Sequence, residues 1–200
     1  MATVVYLHGF ASVGKSAKSD RLAETVERLG HRFAAPDLPV DPEDVIKTVF
    51  STVDNLTNGR EESAWPLVFV GTSLGGFWAR YFSARYDTPC VLVNPATSPT
   101  KTMSDRLDKA LTNYKTGESI TVTRETLEKF LVAETYAKYN GNGALLNLFV
   151  AMDDEVLNPI EMIEDLPFYE SRTVTEDGGH RFEAHWDKVI EKTLEIIEKN

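Results

Sequence analysis

Leu67-Val68-Phe69-Val70-Gly71-Thr72-Ser73-Leu74-Gly75-Gly76, the stretch LVFVGTSLGG, joins a short apolar run to a serine flanked by glycines. Its first four residues show no polar alternation, the pattern of a strand buried on both faces. From the Gly75-Gly76 pair towards Tyr86 the sequence reads as a helix. Gly71 and Gly75 bracket Ser73 in the pattern GxSxG. A serine exposed at a sharp strand-to-helix turn sits on strained backbone, and strand and helix approach so closely there that flanking side chains would collide. The same turn directs the Leu74 N–H out of the helix N-terminus, where it can bind developing negative charge. A glycine-rich turn with a capping serine would spell the same letters, and about one chain in twenty of this length would carry them by chance.

Working outward, Thr3–Leu7 (TVVYL), Cys90–Val93 (CVLV) and residues 145–151 (LLNLFVA) repeat the apolar, β-branched composition and predict further buried strands. Helical spacing separates them. Leu22, Val26 and Leu29 follow Ser16 on one face, and Gly30 closes the run. Asp41-Pro42 supplies an N-cap and a first-turn proline for a helix bearing Val45, Ile46, Val49 and Val53, which Asn58-Gly59 ends. A last helix runs from about Ala184 through Trp186, Val189, Ile190, Leu194 and Ile197. Alternating strands and helices predict a single α/β domain with a mostly parallel, twisted sheet covered on both faces. Residues 97–144 break the rhythm. With two possible helices at 101–111 and 124–139, they exceed a simple connection and read as a small cap or lid; one crossover helix with surface loops is the alternative.

Residues 9–16, GFASVGKS, follow the first strand and match GxxxxGK[ST], a phosphate-cradling loop expected by chance in about one chain in a hundred. On a nucleotide-binding reading Lys15 would meet the β- and γ-phosphates and Ser16 a Mg²⁺ ion. Asp153 or Asp154, after the strand at 145–151, would be the second metal-binding acid. The competing reading rests on a conjunction. A nucleophilic serine needs a base and a carboxylate to orient it. In the α/β-hydrolase arrangement these follow in chain order serine, acid, histidine. Ser73 is followed by Asp153-Asp154 and then by Gly178-Gly179-His180, each just past an expected strand end, where parallel sheets place their ligands. Nucleotide binding requires none of Ser73, Gly178-Gly179 or His180. On the hydrolase reading the first loop serves differently: the Phe10 N–H is a second oxyanion donor, and Gly9 lets that backbone approach the substrate.

These pieces resemble the α/β-hydrolase superfamily, and more closely the small bacterial esterase family of YqiA and YcfP type. The likeness is carried by YLHGF with Ser16 and Lys18 downstream, GTSLGG, VLVNPA, NYKTGES, the DEVL from Asp154 to Leu157, and GGHRF. It runs in order from residue 6 to residue 182. The resemblance implies a carboxylic-ester hydrolase without metal or organic cofactor, with Ser73 as nucleophile, Asp154 as acid and His180 as base. Asp153 stands where many members of the family have glycine, which leaves Asp153 as a second candidate for the acid.

Other residues take supporting expectations. Gly9, Phe10, Leu74, Asn94 and Pro95 lie at strand ends and are expected round the acyl pocket; Gly9, Asn94 and Pro95 are the expected substrate-binding residues. His8 reads as support for the oxyanion loop, His185 as a rival base, His31 as exposed, and residues 113–118 as the border of the entrance. Cys90 opens a buried strand and reads as an inert small hydrophobe.

Composition narrows the partners. Lys and Arg number 21 against 31 Asp and Glu, a net charge of −10, which opposes non-specific binding of nucleic acid. The longest apolar candidate is too short to span a bilayer. The first lysine, Lys15, follows the first apolar run, so a signal peptide is not expected. The single cysteine allows no internal disulfide and fits a cytoplasmic location. Composition therefore leaves no nucleic-acid or membrane partner expected. The small-molecule ester ligand is what the motifs and the resemblance imply, with short acyl chains preferred because the cap region is short and the fold small. Oligomeric state is not legible.

Overall fold

A computed structural model describes residues 1–57, 66–113 and 115–199. In chain order the elements are β1 (Thr3–Leu7), α1 (Ala17–Arg28), β2 (Arg32–Ala34), α2 (Pro42–Thr57), β3 (Leu67–Thr72), α3 (Leu74–Tyr86), β4 (Cys90–Val93) and α4 (Pro99–Ser104). Then follow β5 (Leu111–Thr112), β6 (Ser119–Ile120), α5 (Arg124–Asn140), β7 (Leu146–Ala151), α6 (Pro159–Asp165), β8 (Ser171–Thr175) and α7 (Trp186–Lys199).

Six strands form one sheet in the order β2-β1-β3-β4-β7-β8, and every pairing in it is parallel. The strands read as uninterrupted apolar runs because both faces are covered. Val5 and Leu7 of β1 join Phe69 and Leu92 in a core with Val49 of α2, Phe77, Trp78 and Phe82 of α3 and Phe130 of α5. Val4 and Tyr6 point the other way, joining Val70, Val93 and Phe149 against Leu22 and Val26 of α1 and Trp186 and Val189 of α7. From β1 the chain adds β2 on one side and β3 on the other. This reversal opens a crevice at the carboxyl ends of β1 and β3, where Leu7 pairs with Gly71.

Several expected boundaries move. The helix expected at 101–111 is the shorter α4, Pro99–Ser104. Past its C-cap at Asp105 the chain continues in tighter turns, Arg106 N–H to Met103 and Leu107 N–H to Ser104, and Asp108 then turns left-handed (φ 55°), so helical winding does not resume. The chain then forms the β5–β6 hairpin, with Leu111 opposite Ile120. α5 lays Phe130, Ala133 and Ala137 into the core, and so carries the crossover from β4 to β7. Leu29, expected on the buried face of α1, is 52% exposed at the C-cap, and Gly30 takes the left-handed turn (φ 81°). The last helix starts at Trp186 after a 3-10 turn at Glu183–His185. β2, β8 and α6 were not read from the sequence: β2 is three residues long and half-buried, β8 alternates partly buried and exposed residues before Thr175, and α6 is about two turns with Met162 its buried residue. The Asn58-Gly59 stop lies outside the described residues. No described helix is long and apolar enough to cross a membrane.

Candidate active site

β3 delivers Ser73 with φ 55° and ψ −123°, and α3 begins at the next residue. A non-glycine residue held there costs on the order of 1–3 kcal/mol and persists because its surroundings over-determine it. The Ser73 N–H donates to the Val93 carbonyl at 3.0 Å, and the Ser73 carbonyl accepts from Gly76 and Ala96, at 2.9 and 3.0 Å. The flanking glycines are required sterically. A Cβ on Gly75 would lie 2.0 Å from the Leu7 carbonyl oxygen, and one on Gly71 would lie 2.0 Å from the Gly75 carbonyl oxygen. Gly75→Ala should therefore destabilise the fold by about 1–3 kcal/mol or more. At roughly 2–4 °C per kcal/mol for a chain of this size, a thermal melt should fall by several degrees. An unchanged melting temperature would refute the collision.

The loops after β7 and β8 bring Asp154 to His180. The imidazole Nδ1 lies 2.8 Å from Asp154 Oδ2 and 3.0 Å from Oδ1, and the carboxylate side chain is fully buried. Asp154 Oδ1 also accepts from the N–H groups of Val156 and Leu157, both at 2.8 Å, which fixes its rotamer. With the carboxylate accepting, His180 donates from Nδ1 and presents Nε2 as its free lone pair. Asp153 does something else. It is exposed, and its Oδ1 accepts from the Gly179 N–H at 2.8 Å. Of the doublet, Asp154 is the residue on the imidazole.

Three side chains shape the histidine loop, in which Gly178 and Gly179 take φ 129° and 56°. Asp153 is one. Glu155 is the second, with Oε2 accepting from the His180 N–H at 2.9 Å; that hydrogen bond holds its carboxyl below the usual range. Asn94 is the third. Its Nδ2 donates to the carbonyls of Gly179 and His180, at 2.9 and 3.1 Å, while its Oδ1 accepts from Ala151 N–H at 2.9 Å. This corrects the expectation that Asn94 borders the substrate: it is fully buried, and its amide ties β4, β7 and the histidine loop together. Pro95 also departs from expectation, packing against α3 beside Gly76 and lining a cavity of about 250 Å³ whose walls include neither Ser73 nor His180. The Glu155 contact was missed, although Glu155 is adjacent in sequence to the acid.

Ser73 and His180 line one cavity of about 470 Å³, together with Gly9, Phe10 and Thr72. Among the described residues the Ser73 hydroxyl has no hydrogen-bond partner. Leu74 opens α3, so its N–H is one of the unpaired donors of a helix start. Gly9 packs against Ser73, its Cβ position lying 3.2 Å from Ser73 Cβ. His8 sits beneath this loop. Its Nδ1 is 2.7 Å from the Gly9 carbonyl and its Nε2 accepts from Leu38 N–H at 2.8 Å. Burial lowers its pKa, so the ring is a neutral strut. His185 faces away, paired with Asp177 at 2.7 Å. Cys90 is buried, and burial pushes its thiol up to about 12, which removes it as a nucleophile.

The match to a phosphate loop meets an obstacle. The Gly14 N–H donates to the Asp37 carboxylate at 2.7 Å, so an anion already holds a donor that a phosphate would need. The Ser16 hydroxyl accepts from Ser19 N–H as the N-cap of α1. The segment is a strand-to-helix connection closed by a capping box.

The sequence matches the uncharacterised protein family UPF0227 over residues 3–196. The chain belongs to that family. UPF0227 is the YqiA and YcfP type to which the sequence resemblance pointed. Solved structures place its fold among the α/β-hydrolases. Est1E from Butyrivibrio proteoclasticus, with ferulic acid bound, superposes with a TM-score of 0.72 at 15% identity, covering 99% of this chain and 90% of that one. Mouse alpha/beta hydrolase domain-containing protein 10 gives 0.70 at 16%, covering 98% and 90%. An esterase from Pyrococcus furiosus gives 0.67 at 15%, covering 99% and 81%. The likeness at these identities is one of fold, and the UPF0227 chain shares that fold with esterases and other hydrolases.

Proposed function

We propose that this UPF0227 chain is a cytoplasmic serine hydrolase that cleaves short-chain carboxylic esters through an acyl-enzyme. The observation that carries the reading is the buried Asp154 carboxylate on His180 Nδ1, with His180 and the strained Ser73 lining one cavity. His180 Nε2 takes the Ser73 proton as Oγ attacks the ester carbonyl. Asp154 holds the tautomer and stabilises the imidazolium. The N–H groups of Phe10 and Leu74 receive the oxyanion, each worth about 2.7–4 kcal/mol in comparable sites. His180 then protonates the leaving alcohol, and water activated by the same imidazole releases the acid.

The acyl group enters a second cavity, of about 340 Å³, lined by Leu38, Val40, Leu74, Trp78 and Ile120 and sharing Gly9 and Phe10 with the first. Asn113 and Glu118 border it, and Asn113 Nδ2 donates to the Ser12 carbonyl at 3.0 Å. The β5–β6 hairpin thus acts as the cap of this pocket. A fluorophosphonate probe tests the mechanism: peptide mapping should place one adduct, on Ser73. An adduct on another serine, or none under conditions that label a known serine esterase, would overturn the reading.

A further inference from the structure

The whole chain is acidic, at −10, yet the cavity at Ser73 is not. Its described lining includes Lys18, Arg106, Lys115 and Arg181 against the carboxylates Glu155 and Glu183. Both carboxylates are engaged: Glu155 accepts from the His180 N–H at 2.9 Å, and Glu183 lies 3.7 Å from Arg181. Lys18 and Arg106 are held in place by neutral groups. Lys18 Nζ donates to the Arg181 carbonyl at 2.8 Å and sits 5.3 Å over the Trp186 ring. Arg106 donates to the Thr102 carbonyl at 2.7 Å and stacks on Phe10 at 5.4 Å. Lys115 projects from the exposed hairpin on the same side.

Resting on the esterase reading, we infer that the Ser73 cavity takes an ester whose leaving group carries a carboxylate or phosphate, recognised by Lys18 and Arg106 with Lys115 at the rim. The division between the two cavities sets which half of the substrate is charged. The pocket beyond Phe10 offers Leu38, Val40, Trp78 and Ile120 and suits the acyl chain. The cations surround the other side of the serine. With four cations against two carboxylates the described lining carries a net positive charge, and such a cleft concentrates ligands of the opposite sign. Lys18 lies partly under the loop, and burial brings its amino group down to about 8, so it is protonated at pH 7.

The test compares 4-acetoxybenzoate with its methyl ester at pH 7, each rate corrected for alkaline hydrolysis. The wild type should favour the anion by tenfold or more in kcat/KM. K18M should reduce that ratio at least fivefold through the KM of the anion. K115Q, on exposed backbone, should reduce it about twofold, and 0.5 M NaCl should compress it. No preference for the anion in wild type, or a ratio untouched by both variants, overturns the inference. Loss of both substrates together in K18M with the ratio preserved also overturns it, as a merely structural role of Lys18. The esterase reading fails separately, if S73A retains hydrolysis of both esters.

Discussion

Ser73→Ala should lower kcat on p-nitrophenyl acetate or butyrate by about 10⁴–10⁶, the loss seen when a serine nucleophile is removed from a working triad. In barrier terms, a factor of 10⁵ is about 7 kcal/mol. The substitution is clean structurally. The hydroxyl has no hydrogen-bond partner among the described residues, so its removal orphans no buried group. The φ of 55° is set by backbone hydrogen bonds to Val93, Gly76 and Ala96, which alanine keeps. The melting temperature should therefore stay within about a degree or two of wild type while turnover collapses. Residual activity above a few per cent would show that another group attacks the ester. Loss of activity together with the fold would be a different result, and the melt separates the two.

The pieces of this fold that the sequence made legible are those where chemistry and sterics leave few alternatives. The limits of β1 and β4 coincide with their apolar runs, because strands buried on both faces must be apolar throughout. The elbow was readable because three constraints, the two glycines and the strand before them, converge on Ser73. His180 and Asp154 were readable from chain order at strand ends, and the structure brings the two side chains together. Asn94 was misread for a physical reason. A strand end in a parallel sheet can face either the ligand crevice or the neighbouring loops, and spacing cannot tell which. Its side chain turned inward because the histidine loop, built on glycines, leaves the Gly179 and His180 carbonyls needing donors. The cationic lining was invisible for a related reason. Lys18, Arg106, Lys115 and Arg181 come from four separate segments, and overall composition pointed the opposite way.

The strand order explains why so small a chain can assemble a site from such distant segments. Neighbouring β1 and β3 end side by side, so the Gly9-Phe10 loop and the Ser73 elbow meet without any long connection. β7 and β8 end beside each other with Ala151 opposite Thr175, which puts the Asp154 and His180 loops within hydrogen-bond reach. β4 lies between the pairs, and Asn94 at its end ties one half to the other. Precision at the site thus follows from the sheet.

The acidic doublet supplies the sharpest comparison. Asp154→Asn should lower kcat/KM on p-nitrophenyl butyrate by about 10³–10⁴, as expected when the carboxylate of a serine triad becomes an amide. The reason lies in the partners of each oxygen. Oδ1 of Asp154 accepts from Val156 and Leu157 N–H, so an asparagine must leave its carbonyl there and turn its NH₂ towards His180 Nδ1. Facing a donor, Nδ1 becomes the acceptor, the proton moves to Nε2, and the ring can no longer take a proton from Ser73. Asp153→Asn keeps an acceptor for the Gly179 N–H and should change kcat/KM by less than about threefold. A larger loss in Asp153→Asn than in Asp154→Asn would reassign the acid, against the buried 2.8 Å contact that now defines it.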